Sequence, residues 1–363
     1  MPTQPILVAS IADGTGKTAV TLALGRLVRE RDRRVGYMKP KGTRLQSSTG
    51  KTLDRDPMLA RDLLELDGEM HQLEPVVYSP TFVDSAIRGR EDPDELGDLV
   101  ESQFRGLATA ADLMLVEGGG DWTTGGIVDL TDADVADRLD AAVLLVAPYR
   151  TGADLDNVLA AADAFGDRLA GVLFNDVSDA AFDELESDAV PFLERRGVPV
   201  IGVLPHDREL AGVTVGDLTA ELGASVLVKG DTDGHIERFL VGAMGGDAAL
   251  RYFRRTKDAA VVTGGDRPEI VTAALEAPGV SAVILTGGHR PPAAVLGTAE
   301  NRGVPVLSAP GDTLSVVDRA ESILESGRAR DAGTVDRMRE LLHDHADVDA
   351  ILKPDDAEPD ADG

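Results

Sequence analysis

The chain has 363 residues, 43% of them hydrophobic, no cysteine and a formal net charge of −28. That length suits two or three domains with packed cores. The lack of cysteine excludes disulfide scaffolds, thiolate zinc sites, iron–sulfur clusters and thiol nucleophiles, and the acid excess opposes a grip on nucleic-acid phosphates or anionic membranes.

The first ten residues carry no basic run, and their apolar stretch is too short for a secretory leader. No stretch reaches the ~18 apolar residues of a membrane span, so the expectation is a cytoplasmic protein. Lysine occurs only at 17, 39, 41, 51, 229, 257 and 353. Many carboxylates, few lysines and few aromatics match a halophilic cytosol, where salt screens like-charge repulsion and carboxylates hold water.

In chain order, residues 5–10 form an apolar run that ends at a Gly-containing turn, and a helical period follows over about 18–31. Residues 34–38 read as a second strand. Residues 112–116 form another, leading into Glu117-Gly118-Gly119-Gly120. Residues 141–147, 171–174 and 199–204 are apolar enough for strands buried on both faces. Residues 154–165 and 183–195 fit helices between them. Strands alternating with helices predict an α/β fold, a parallel sheet covered by helices.

From about 211 to 325 the same rhythm repeats on a smaller scale. Thr263-Gly264-Gly265-Asp266-Arg267-Pro268 and Thr286-Gly287-Gly288-His289-Arg290-Pro291 each follow an apolar strand and precede a helical run. This is an internal repeat, and residues 304–308 give a third strand. The expected organisation is a first domain over 1–210, a smaller α/β domain over 211–327, and a helix with an acidic tail over 328–363.

The strongest chemical signal is Gly14-Thr15-Gly16-Lys17-Thr18 between the first strand and the first helix. Gly14 and Gly16 let backbone N–H groups approach phosphates, Lys17 reaches the β/γ oxygens, and Thr18 offers a hydroxyl to Mg2+. The helix N-terminus adds donors and a favourable dipole. Ile11 stands where the full pattern has glycine. Glu117, ending a parallel strand, lies where open α/β sheets bind ligands and suits Mg2+ directly or through water; its glycines let a ligand lie against backbone. Lys39, with Lys41, follows the second strand, where it can meet a carboxylate or phosphate. Asp54 and Asp56 offer a second metal carboxylate, or a helix N-cap.

These residues carry a resemblance. Residues 1–206 resemble the dethiobiotin synthetase-like branch of phosphate-loop proteins, on the loop 13–18, Lys39-Pro40, Asp56, Glu117-Gly118-Gly119, Asn175 in Phe174-Asn175-Asp176, and Gly202-Val203-Leu204-Pro205. The resemblance implies that Lys17 and Thr18 bind ATP and Mg2+, that Lys39 faces the substrate, that Asp56 and Glu117 hold Mg2+, and that Asn175 meets the adenine. Residues 211–325 resemble the DRTGG domain. The order of the two resembles the N-terminal, non-catalytic half of long phosphate acetyltransferases, whose catalytic domain would follow, so acetyl transfer is not expected.

Two adjacent Thr-Gly-Gly loops predict one anion site built from Gly264, Gly265, Arg267, Gly287, Gly288 and Arg290. The alternative is that the glycines serve only tight turns. The functional expectation is an ATP- and Mg2+-binding regulatory or accessory protein of acetyl-CoA and acetate metabolism, with slow ATPase at most. Its expected partners are a nucleotide, a small anionic metabolite, and a second copy or an acyl-CoA-metabolising enzyme. An ATP-dependent carboxylate-activating ligase with Lys39 orienting the substrate, and a non-catalytic scaffold, remain as alternatives.

Overall fold

The computed structural model describes residues 4–43, 45–48, 51–326 and 331–352. The chain divides into two units, one holding residues up to 206 and again from 329, the other residues 207–328.

The first unit is built on six strands: β1 (Gln4–Ser10), β2 (Val35–Met38), β3 (Leu113–Glu117), β4 (Ala142–Ala147), β5 (Leu169–Val177) and β6 (Val200–Pro205). Their order is β6-β5-β4-β1-β3-β2, and every neighbouring pair is parallel. Residues 5–10, 113–117 and 143–147, in β1, β3 and β4, are buried on both faces, which is why these strands are largely apolar. The register sets Val8 beside Glu117 and Met38 beside Val116. The loop after β1, Glu117 and Lys39 therefore emerge at one edge of the sheet, where the strand order changes direction.

Three helices frame that edge. Helix α1 (Lys17–Glu30) begins directly after the glycine loop. Helix α2 (Arg55–Leu63) is capped by Asp54, whose carboxylate accepts from the Asp56 N–H at 2.9 Å. The cap therefore falls on Asp54, and the Asp56 side chain turns to the site. Helix α3 (Asp132–Leu139) starts from a reciprocal cap between Thr131 and Asp134.

Residues 331–352 return to this unit. Helix α4 (Ala332–His345) buries Val335, Met338, Leu341 and Leu342. It lies along α1, with ion pairs from Arg26 to Asp336 at 3.1 Å and from Arg339 to Glu30. Beyond it, the Asp347 N–H donates to the Ile201 carbonyl at 2.8 Å, and Ala346 bridges to Gly202. A side chain at 202 would overlap the backbone of His345 and Ala346, so glycine there permits the approach. The helix expected after 328 is present, and what it covers is the outer edge of the first sheet, a pairing that sequence order hides. The acidic tail from residue 353 lies outside the described residues.

The second unit holds β7 (Ser225–Val228), β8 (Arg238–Val241), β9 (Ala259–Gly264), β10 (Val280–Thr286) and β11 (Val306–Ser308). Their order is β7-β11-β10-β9-β8, with β7 antiparallel to β11 and the other pairs parallel. The repeat appears as β9 with helix Pro268–Glu276 and β10 with helix Ala293–Arg302. Strands β7 and β8, absent from the sequence expectation, are short sheet-edge segments that are largely unburied, each with only three apolar residues in a row. The α/β class expected from the sequence holds in both units. Among the described residues no helix is long and apolar enough to cross a membrane.

Candidate functional site

The loop after β1 takes the backbone shape that its glycines allow. Gly14 and Gly16 have φ of 68° and 87°, the left-handed region where a Cβ is strained. Thr15 Oγ1 is buried in this loop with no hydrogen-bond partner among the described residues. Lys17 Nζ folds across the loop, donating to Ser10 Oγ at 3.1 Å and to the Gly120 carbonyl. Burial lowers its pKa, with Asp132 and Glu117 opposing that shift.

Thr18 Oγ1 donates to Glu117 Oε1 at 2.7 Å, and the Tyr37 hydroxyl donates to Glu117 Oε2 at 2.9 Å. Glu117 is fully buried. Burial pushes its carboxyl up to about 7, Lys39 pulling the other way and Asp56 adding to the rise. Lys39 Nζ lies 2.7 Å from Asp54 Oδ2, 2.5 Å from Asp56 Oδ2 and 3.7 Å from Glu117 Oε1. Burial works against its charge, but Asp56, Glu117 and Asp54 outweigh it and hold the ammonium above its ordinary pKa. The structure thus brings together Thr18, Lys39, Asp56 and Glu117, four residues from four places in the sequence. The donor set is one hydroxyl and carboxylates, oxygen throughout, which fits Mg2+ completed by phosphates and water. Among the described residues no three acidic or imidazole groups converge on an open metal position; here the carboxylates converge on Lys39.

Sequence reasoning missed three neighbours. Tyr37 is one. Glu74 is another: it is buried, and its Oε2 accepts from the Asp54 N–H at 3.1 Å, anchoring the segment that carries Asp54 and Asp56. The third is Asp132, whose Oδ1 pairs with Lys41 Nζ at 2.7 Å while Oδ2 has no partner among the described residues. A Cβ at Gly118 would overlap that oxygen, and one at Gly119 would lie 2.5 Å from the Lys41 carbonyl. Gly118 and Gly119 are therefore needed to seat this buried ion pair, rather than only to admit a ligand to the backbone.

Asn175 comes from β5 to the underside of the loop, where its Nδ2 donates to the Thr15 carbonyl at 2.8 Å. A Cβ at Gly16 would lie 2.5 Å from that nitrogen. Its amide N–H is thus engaged in bracing the phosphate loop. The next residue, Asp176, holds φ of 62° and its carboxylate lies 2.7 Å from His206 Nδ1.

In the second unit the two Thr-Gly-Gly loops do share one sheet edge. The Gly265 N–H donates to the Thr286 carbonyl at 3.3 Å, and a Cβ at Gly265 would overlap the His289 carbonyl. Gly287 and Gly288 both have φ of 72°. The Gly287 N–H reaches the Gly311 carbonyl at 3.0 Å, so the loop after β11 joins the same edge. Arg290 is exposed. The expectation that Arg267 points its guanidinium at an anion does not hold. Its N–H groups donate to the Gly242 carbonyl and, at 2.7 Å, to the Met244 carbonyl, because the loop after β8 leaves those acceptors beside it.

The AAA domain family matches residues 4–214, and the DRTGG domain matches residues 217–323. The chain is 24% identical to phosphate acetyltransferase of Haemophilus influenzae over 383 aligned residues, covering 96% of this chain and 52% of that protein. It thus spans about half the length of that relative. It is 34% identical over 160 residues to ATP-dependent dethiobiotin synthetase BioD of Frankia casuarinae, covering 42% of this chain and 63% of that one. The corresponding enzyme of Aromatoleum aromaticum is 29% identical over 215 residues, covering 57% and 91%. The chain belongs to the AAA domain family, as a dethiobiotin synthetase-like phosphate-loop unit joined to a DRTGG domain in the manner of the N-terminal half of long phosphate acetyltransferases.

Proposed function

We propose that the chain is an ATP- and Mg2+-binding regulatory or accessory protein of acetyl-CoA and acetate metabolism. The observation that carries the nucleotide reading is the 2.7 Å hydrogen bond from Thr18 to Glu117. It joins the phosphate loop to the carboxylate of the adjacent strand, the pair a phosphate-loop protein uses to seat Mg2+. In this reading Gly14 and Gly16 admit the phosphates to backbone N–H groups. Lys17 leaves the Gly120 carbonyl for phosphate oxygens. Thr18, Asp56 and Glu117 hold Mg2+, which when bound neutralises phosphate charge. Asn175 keeps the loop at its height beside the adenine.

The link to acetate metabolism rests on the likeness to phosphate acetyltransferase, and makes an acyl-CoA-metabolising enzyme or a second copy of the chain the natural partner. The acid-rich composition supports work in a salt-rich cytoplasm. At the second unit, Gly264, Gly265, Gly287, Gly288 and Arg290 form a site for a small anionic metabolite, with Arg267 shaping it from behind.

The competing reading, a ligase of the dethiobiotin synthetase type, needs the Lys39 ammonium to face a carboxylate substrate. Its burial among Asp54, Asp56 and Glu117 favours the accessory role. Phosphate release from MgATP by the full chain separates the two. The accessory reading expects slow release that dicarboxylates and amino-acid-like compounds leave unchanged. Fast release triggered by such a compound and lost in Lys39→Ala would overturn it.

A further inference from the structure

The resemblance gives Lys39 a substrate-facing role, and the geometry argues for another. Lys39 is 2% exposed. Its backbone is fixed by an N–H donated to the Leu73 carbonyl at 2.7 Å. Two of the carboxylates around its ammonium are held by other partners. Asp54 accepts from the Asp56 and Thr43 N–H groups at 2.9 and 3.0 Å, and Glu117 accepts from Thr18 and Tyr37. Asp54 and Glu117 are thus held from outside the cluster, and the ammonium sits among the carboxylates.

Two of these carboxylates, Asp56 and Glu117, are the ones read above as Mg2+ contacts, and the inference rests on that reading. A divalent cation approaching without nucleotide meets carboxylates already neutralised in part, and a buried positive charge a few ångströms away. Repulsion at that range in a buried site is strong. Nucleotide phosphates bring the negative charge that accommodates both cations. We propose that Lys39 is the internal counter-ion of the metal cage, which suppresses divalent-cation binding by the nucleotide-free protein and makes metal entry depend on nucleotide. Three carboxylates, those of Asp54, Asp56 and Glu117, surround the one ammonium.

The test measures Mn2+ binding to the full chain in high salt, by the loss of the free-ion paramagnetic signal, with and without ATP. Wild type should bind Mn2+ weakly without nucleotide, and Lys39→Gln should bind it tighter by about 100-fold or more. Asp56→Asn should weaken Mn2+ binding in the presence of ATP by about tenfold or more. If Lys39→Gln is unstable alone, the rise of its melting temperature with Mn2+ reads the same affinity. A Lys39→Gln affinity within about threefold of wild type, or a variant that Mn2+ neither stabilises nor folds, overturns the proposal. Loss of the metal reading itself looks different: Asp56→Asn and Glu117→Gln would then leave ATP-dependent Mn2+ binding unchanged.

Discussion

Thr18 Oγ1 and Glu117 Oε1 lie 2.7 Å apart, although 99 positions separate them in the chain. The contact exists because β1 and β3 are neighbours in parallel register, with Val8 opposite Glu117. One strand delivers the glycine loop and the start of α1; the other delivers a carboxylate to the same edge. Buried at 0% exposure, Glu117 has its two oxygens committed to Thr18 and Tyr37. It is therefore turned to the loop and the neighbouring strand rather than to solvent.

Stability should fall as pH rises through the weakly acidic range. Burial pushes Glu74 up to about 7 from its ordinary 4.5, and Oε1 has no partner among the described residues. The folded chain then holds a proton between those values that the unfolded chain releases. The stabilisation is fully present below the unfolded value and is lost as pH climbs through the folded one. Glu117 acts in the same direction. Glu74→Gln keeps an acceptor for the Asp54 N–H and removes one titration. Its melting temperature, followed between about pH 5 and about pH 8 at constant salt, should decline less than that of wild type. An unchanged slope would remove Glu74 from the account.

Gly118→Ala should destabilise the first unit by about 1–3 kcal/mol, since the new methyl group overlaps Asp132 Oδ2 and displaces a buried ion pair. Gly106→Ala is the matched control. It lies exposed on the helix Pro93–Ala108 with nothing near its Cβ position, and should stabilise by about 0.5–1 kcal/mol. Urea unfolding of the two variants checks the contrast. Equal effects would mean the Lys41–Asp132 pair does not need the glycine.

Arg267→Ala and Arg290→Ala should part company. The first removes donors from the Gly242 and Met244 carbonyls and should cost about 1–3 kcal/mol of stability. The second, exposed, should leave stability alone and weaken the thermal stabilisation given by a small anion such as a nucleotide. If Arg290→Ala changes no ligand response while Arg267→Ala does, the anion site is wrongly built.

Much of this was legible in the sequence wherever the signal is local. The glycine loop, Lys39, Glu117 and the paired Thr-Gly-Gly loops each follow a strand and precede a turn or helix, and the structure sets them at the strand ends the pattern implied. What stayed hidden depends on distant partners. Asp132 reads as one more acid at a helix start until β3 brings Gly118 against it. Glu74 sits in a short segment with no period of its own. Arg267 matches an anion-binding pattern, but its acceptors lie in a loop after β8, a strand too short and too exposed to announce itself. A helix after residue 328 was expected, but its partner α1, some three hundred positions earlier, was not visible.

The central claim is that the loop from Gly14 to Thr18 seats a nucleotide with its metal, and the melting temperature of the full chain in high salt tests it most directly. MgATP at about millimolar concentration should raise the wild-type melting temperature by several degrees, as ligand binding to the folded state requires. In Lys17→Ala, which loses the ammonium now held at Ser10 and Gly120, the rise should vanish while the ligand-free melting temperature stays near that of wild type. A wild type unmoved by MgATP, or a Lys17→Ala variant stabilised as strongly, would contradict the account.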